Sequence, residues 1–125
     1  MKLTAKNMKR EIKFRVWEYI RHRNSYGFNY FIGLIDDDKK HYDLMQFTGL
    51  KDRNGIEIYE GDIISFEDDP AGVVKWNSDF SCWTYWESEN INNQEEVFDW
   101  SQLLKRDCEH YVVRGNIYEN PDLLL

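Results

Sequence analysis

Cysteine, proline and histidine are all scarce in this chain, and each scarcity closes off a class of protein. Cys82 and Cys108 are the only cysteines among 125 residues. A chain of that length builds one core without staples, so two reduced thiols in a cytosolic protein are expected. Nothing in the sequence demands a Cys82–Cys108 bridge. Two prolines and seven glycines are too few for a disordered or low-complexity chain. No secretory apolar segment precedes the first charged strand, and no apolar run approaches the ~20 residues of a membrane span. His22, His41 and His110 are scattered, and Cys108-Glu109-His110 falls short of the four ligands that structural zinc needs. Asp36-Asp37-Asp38 lacks the spacing and the distal glutamate of a calcium loop. The G-x-S-x-G elbow, the G-x-G-x-x-G fingerprint and the P-loop are missing as well, so neither a serine nucleophile nor a phosphate cradle is indicated. No metal and no cofactor is expected.

Aromatic residues and charge are plentiful. Five Trp, eight Tyr and seven Phe make up 16% of the chain, which suits β-structure, because flat rings pack well on pleated surfaces. The net charge of −7 is unevenly placed. Residues 1–23 hold eight Lys/Arg against two acids, and residues 24–125 hold eight against twenty-one. An acidic body repels nucleic-acid phosphates, while the basic start invites contact with phosphate or with an acidic protein surface.

The stretch from Met45 to Phe66 organises the chain. Asn54-Gly55 marks a tight turn, since both residues tolerate positive φ. Ile56, Ile58, Ile64 and Phe66 alternate with Glu57 and Ser65, the period of a half-buried strand. Glu60-Gly61-Asp62 lies between the apolar runs, a corner whose carboxylates are expected to stay solvated. Upstream, Glu11–Trp17 alternates Ile12, Phe14 and Val16 with Lys13, Arg15 and Trp17, and predicts a strand with a basic outer face suited to a sheet edge. Further strands are expected over Phe28–Ile35 and Leu44–Phe47. A hairpin is expected from Val73–Trp76 and Phe80–Trp86 across Asn77-Ser78-Asp79. Asp99 is placed to cap a short helix through Trp100, Leu103 and Leu104, and Asn120-Pro121 to start another. The fold expected is a mainly β single domain over residues 10–125: a strongly bent antiparallel sheet or an SH3-like barrel, with one or two short helices near the C-terminus. Residues 1–9 are expected to form a flexible basic arm ahead of it.

Three blocks then match a known family. Arg10–Trp17 (R-E-I-K-F-R-V-W), Met45–Ile64 (M-Q-F-T-G-L-K-D-R-N-G-I-E-I-Y-E-G-D-I-I) and Gly115–Leu124 (G-N-I-Y-E-N-P-D-L-L) resemble the YopX family of small phage and prophage proteins, mainly of Gram-positive bacteria. The resemblance covers about a third of the chain, at its start, middle and end. It implies an SH3-like, predominantly β fold and a phage-encoded protein in the bacterial cytosol. It carries over no activity and no catalytic or ligand positions.

Function therefore has to be read from side chains. Glu57, Glu60 and Asp62 form a tempting acidic group, but acid–base work needs at least one buried carboxyl. A corner loop predicts solvated ones, with Asp62 accepting backbone hydrogen bonds. Trp76, Trp83, Tyr85 and Trp86 crowd one hairpin with more ring surface than a small barrel easily hides. Either the C-terminal helix covers them or they meet a protein partner or a second subunit. A non-enzymatic accessory or protein-binding module is the favoured reading. The alternative is a nucleic-acid-binding module using Lys9, Lys13, Arg15, Trp17, Arg21 and Arg23, a basic strip with an interleaved aromatic.

Overall fold

The computed structural model describes residues 11–32, 43–67, 71–87 and 110–124. The basic arm with Lys9, the Asp36–Asp38 tip, the helix expected from Asp99 and Cys108 lie outside the described residues. Among the described residues eight strands run in chain order: β1 (Lys13–Ile20), β2 (Ser25–Ile32), β3 (Leu44–Lys51), β4 (Glu57–Tyr59), β5 (Asp62–Phe66), β6 (Gly72–Asn77), β7 (Cys82–Glu87) and β8 (Tyr111–Asn116). They form two antiparallel four-stranded sheets, ordered β2-β1-β3-β4 and β7-β6-β5-β8, and the whole curls into a half-barrel. The architecture is the strongly bent, mainly β one. A 3-10 turn at Pro121–Leu124 follows the Asn120-Pro121 signal.

β1 and β2 pair along their full length, from Lys13 opposite Ile32 to Ile20 opposite Ser25. A 3-10 turn at Arg21–Arg23 joins them, and Asn24 closes it in the left-handed region at φ 52°. β1 also pairs with β3. It is thus an inner strand rather than the edge its basic residues suggested, and among the described strands β2 takes the edge.

The two sheets meet at the corner Glu60-Gly61. Gly61 turns the chain at φ +84°, and a Cβ there would stand 3.0 Å from Met45 Sδ, so a side chain is disfavoured twice. Its N–H donates to Val74 O at 2.8 Å and its carbonyl accepts from Ile117 N at 3.0 Å. The corner is thereby stitched to β6 and to the segment after β8. Asp52 fixes the preceding Asn54-Gly55 turn. One carboxylate oxygen accepts from Asn54 N and Ile56 N, and the other reaches Val113 N on β8.

Ile58, Ile64, Val74, Tyr85 and Tyr111 make the core, with Leu50, Phe66, Trp83 and Val113 packed around it. β5 is covered on both faces: Ile63 and Ile64 are fully buried, and Ser65 nearly so. The alternation of Ile64 and Phe66 with Ser65 suggested one wet face. Asp62 and Ile64 are buried on one face and Ile63 and Ser65 on the other, so over these residues neither face is wet.

Candidate functional site

The Glu60-Gly61-Asp62 corner sends its two carboxylates into different surroundings, and neither is the solvated group the loop composition suggested. Asp62 turns inward. Its Oδ1 meets Arg15 Nη2 at 2.7 Å, and its Oδ2 accepts from Tyr59 N at 2.8 Å. Both partners of this ion pair are buried, with side chains 7% and 4% exposed. Burial raises the Asp62 pKa above the ordinary carboxylate value, and it outweighs the opposing pull of Arg15 and the Tyr59 hydrogen bond. The expectation that Asp62 accepts backbone hydrogen bonds holds for one of its two oxygens.

The Arg15 guanidinium lies over the rings of Phe28 and Tyr59, 4.4 and 4.8 Å from their centroids. Its Nη2 also donates to Glu60 O at 3.3 Å, and its buried Nε has no partner among the described residues. Arg15, Phe28, Tyr59 and Asp62 line a cleft of about 450 Å³ to which both sheets contribute, together with Tyr30 and Glu119. Beyond Arg15 the rings continue along the same face of β1 and β2. Trp17 stacks on Tyr118 at 5.4 Å and on Tyr26 at 6.1 Å. The Tyr118 hydroxyl donates to Asp43 at 2.8 Å, and burial together with that carboxylate pushes its pKa up to about 12.

Glu60 has a different setting. It lines a second cleft of about 370 Å³ with Gln46, Trp76 and Trp83. The two indoles meet edge-to-face, centroids 5.1 Å apart at 73°. Glu60 is half-buried, its Oε1 accepts from Gln46 N at 3.3 Å, and burial raises its pKa. Among the described residues no cation pairs with it.

The residues singled out from the sequence separate on this frame. Trp76 is 43% exposed and Trp83 half-buried, both in the second cleft. Tyr85 and Trp86 are instead core residues, 8% and 3% exposed. Tyr85 packs edge-to-face on Tyr111, and the Trp86 indole N–H donates to Thr84 Oγ1 at 2.7 Å. Adjacent residues of a strand point to opposite faces, so burying both requires both faces of β7 to be covered. Of the basic strip, Arg15 is consumed by Asp62, and Lys13 binds Glu57 at 2.6 Å and Glu11 at 3.3 Å. The Glu57 contact holds the Lys13 pKa above its usual value. Trp17 is packed among rings, whereas Arg21 and Arg23 are exposed on the β1–β2 turn.

Sequence reasoning missed the tyrosines of β2. Tyr26 and Tyr30 are 63% and 61% exposed and Ile32 79%, all at alternate positions of an edge strand. The repeat Tyr26-Phe28-Tyr30-Ile32 is visible in the sequence as a period of two. Among the described residues there is no cluster of three or more metal-ligating side chains. Nor is any helix among them long and apolar enough to cross a membrane.

Comparison with solved structures finds protein EF1440 from Enterococcus faecalis. It has 23% sequence identity and a TM-score of 0.52, over 91% of this chain and 98% of that one. At that identity the likeness speaks for the fold. No curated protein matches the chain significantly. The family model described as YopX protein matches residues 5–125, nearly the whole length, and the chain belongs to the YopX family.

Proposed function

We propose that this protein is a phage- or prophage-encoded binding module of the bacterial cytosol, acting through contacts with another protein and not through chemistry of its own. The outer strand of the first sheet, as ordered among the described residues, carries this reading. β2 is eight residues long, S-Y-G-F-N-Y-F-I, without one charged side chain or proline. Edge strands ordinarily carry such residues to discourage pairing. Here Tyr26, Tyr30 and Ile32 are exposed instead. Tyrosine-rich apolar patches are typical of surfaces that meet a protein partner. The phage origin and the cytosolic setting are drawn from the occurrence of YopX proteins in phages and prophages.

Nucleic acid is the weaker alternative. Lys13 and Arg15 are held by carboxylates, and the net charge of −7 opposes a polyanion.

The test is capture from lysate of a prophage-carrying host by the tagged full chain and by a Tyr30→Ser/Ile32→Ser variant. Loss of a specific co-purifying protein by about tenfold or more in the variant is expected. Equal capture by both chains overturns the reading.

A further inference from the structure

The second cleft combines three elements that together select for positive charge. The first is aromatic surface. Trp76 and Trp83 present an edge-to-face pair 5.1 Å apart, with Trp76 43% exposed. Indole is the side chain whose π face attracts a cation most strongly. The second is a carboxylate at the same cleft. Glu60 is half-buried there, and a backbone N–H at 3.3 Å is its hydrogen-bond donor. Desolvation raises its pKa, so a neighbouring positive charge would bring the carboxylate back toward its ordinary state. The third is the fate of nearby cations among the described residues. Arg15 is committed to Asp62, Lys13 to Glu57 and Glu11, and Lys75 lies over Trp86 at 5.0 Å, outside this cleft.

We infer that the Trp76–Trp83 cleft is a recognition site for a lysine or arginine side chain presented by a partner protein, its cation held between the indoles and the Glu60 carboxylate. This rests on the reading of the protein as a binding module and names the chemistry of the partner. About 370 Å³ accommodates a side-chain head and part of its stem. Gln46 also lines the cleft, and a glutamine amide oxygen can accept from the extra donors of a guanidinium. The net charge of −7 favours approach of a basic partner at low ionic strength.

The test titrates the full chain with N-acetyl-lysine methylamide and N-acetyl-arginine methylamide, following the indole N–H resonances by NMR. N-acetyl-norleucine methylamide is the uncharged control. Saturable shifts of the Trp76 and Trp83 resonances by the cationic probes, with a dissociation constant on the order of 1 mM, are expected. Binding read on Trp83 should weaken about tenfold in Trp76→Ala. Glu60→Gln keeps the shape of the side chain and should weaken binding as well, so a folding defect in one variant does not decide the matter.

An equal response to norleucine, or no response to the cations, overturns the site. So does a K2Q/K6Q/K9Q chain that binds the probes where the native chain refuses them, because the arm itself would then be the occupant. If the probes fail while capture through β2 persists, the cleft falls and the module stands. If the probes bind while the β2 variant captures as well as the native chain, the cleft stands and the β2 edge falls.

Discussion

Two clefts on either side of one glycine bring rings and charge together, and they do so to different ends. On the inner side Phe28 and Tyr59 flank the guanidinium of Arg15, and Asp62 closes against it at 2.7 Å. On the outer side Trp76 and Trp83 flank Glu60, and no described cation pairs with it. At the first, the chain pairs its own buried charges and gains a joint between sheets. At the second, similar chemistry faces outward, which is what a recognition surface requires. Depth separates a structural ion pair from a docking one, because a buried charge must be paired at home.

Breaking the inner site should have the largest effect. Arg15→Ala leaves Asp62 buried without its partner and should lower the unfolding free energy by about 3–5 kcal/mol, measured by urea denaturation. Asp62→Ala also removes the acceptor of Tyr59 N–H and should lower the melting temperature strongly. Replacing both at once, Arg15→Met with Asp62→Leu, should recover much of the loss. A single-variant cost below ~1 kcal/mol would mean that the pair does not hold the sheets together.

The outer site should tolerate its own loss. Trp76→Ala, at a residue 43% exposed, should cost under about 1 kcal/mol of stability. A cost as large as that of Arg15→Ala would make Trp76 a core residue and erase the contrast.

The smallest effect is expected at Glu60, where it depends on pH. Burial raises its folded-state pKa above the unfolded value. The folded protein therefore binds the proton more tightly, and stability falls as pH rises from the unfolded pKa through the folded one. Glu60→Gln removes that penalty. The variant should melt together with the native chain in acid and slightly above it at neutral pH. A variant whose melting point falls relative to the native chain as pH rises would show that the ionised carboxylate stabilises the fold.

The strands and turns were legible in the sequence to the extent that they rest on local rules. Period-two alternation located β1, the β6–β7 hairpin and the apolar runs around Gly61, and the Asn54-Gly55 turn follows from backbone tolerance of positive φ. Alternation also divides a strand into two faces, but it does not say what covers either. Lys13, Arg15 and Trp17 do share one face of β1, yet that face is packed against other parts of the chain: Lys13 on Glu57, Arg15 on Asp62 and Trp17 on Tyr118. The same gap explains Tyr85 and Trp86. Their opposite orientations were legible, and their common burial was not. In the other direction, the uncharged alternation of Tyr26, Phe28, Tyr30 and Ile32 reads equally well as an inner strand, and only sheet order puts it on an edge.

Local composition by itself determined that this chain turns sharply at Gly61 and builds short, aromatic-rich strands, because torsional freedom and side-chain period act within a few residues. Which carboxylate of the corner lies buried against a guanidinium, and which stands beside two indoles at the surface, was decided only when the sheets folded over one another. Burial depends on what arrives from distant parts of the chain. Arg15 stands forty-seven positions before Asp62, and no neighbourhood in the sequence contains both.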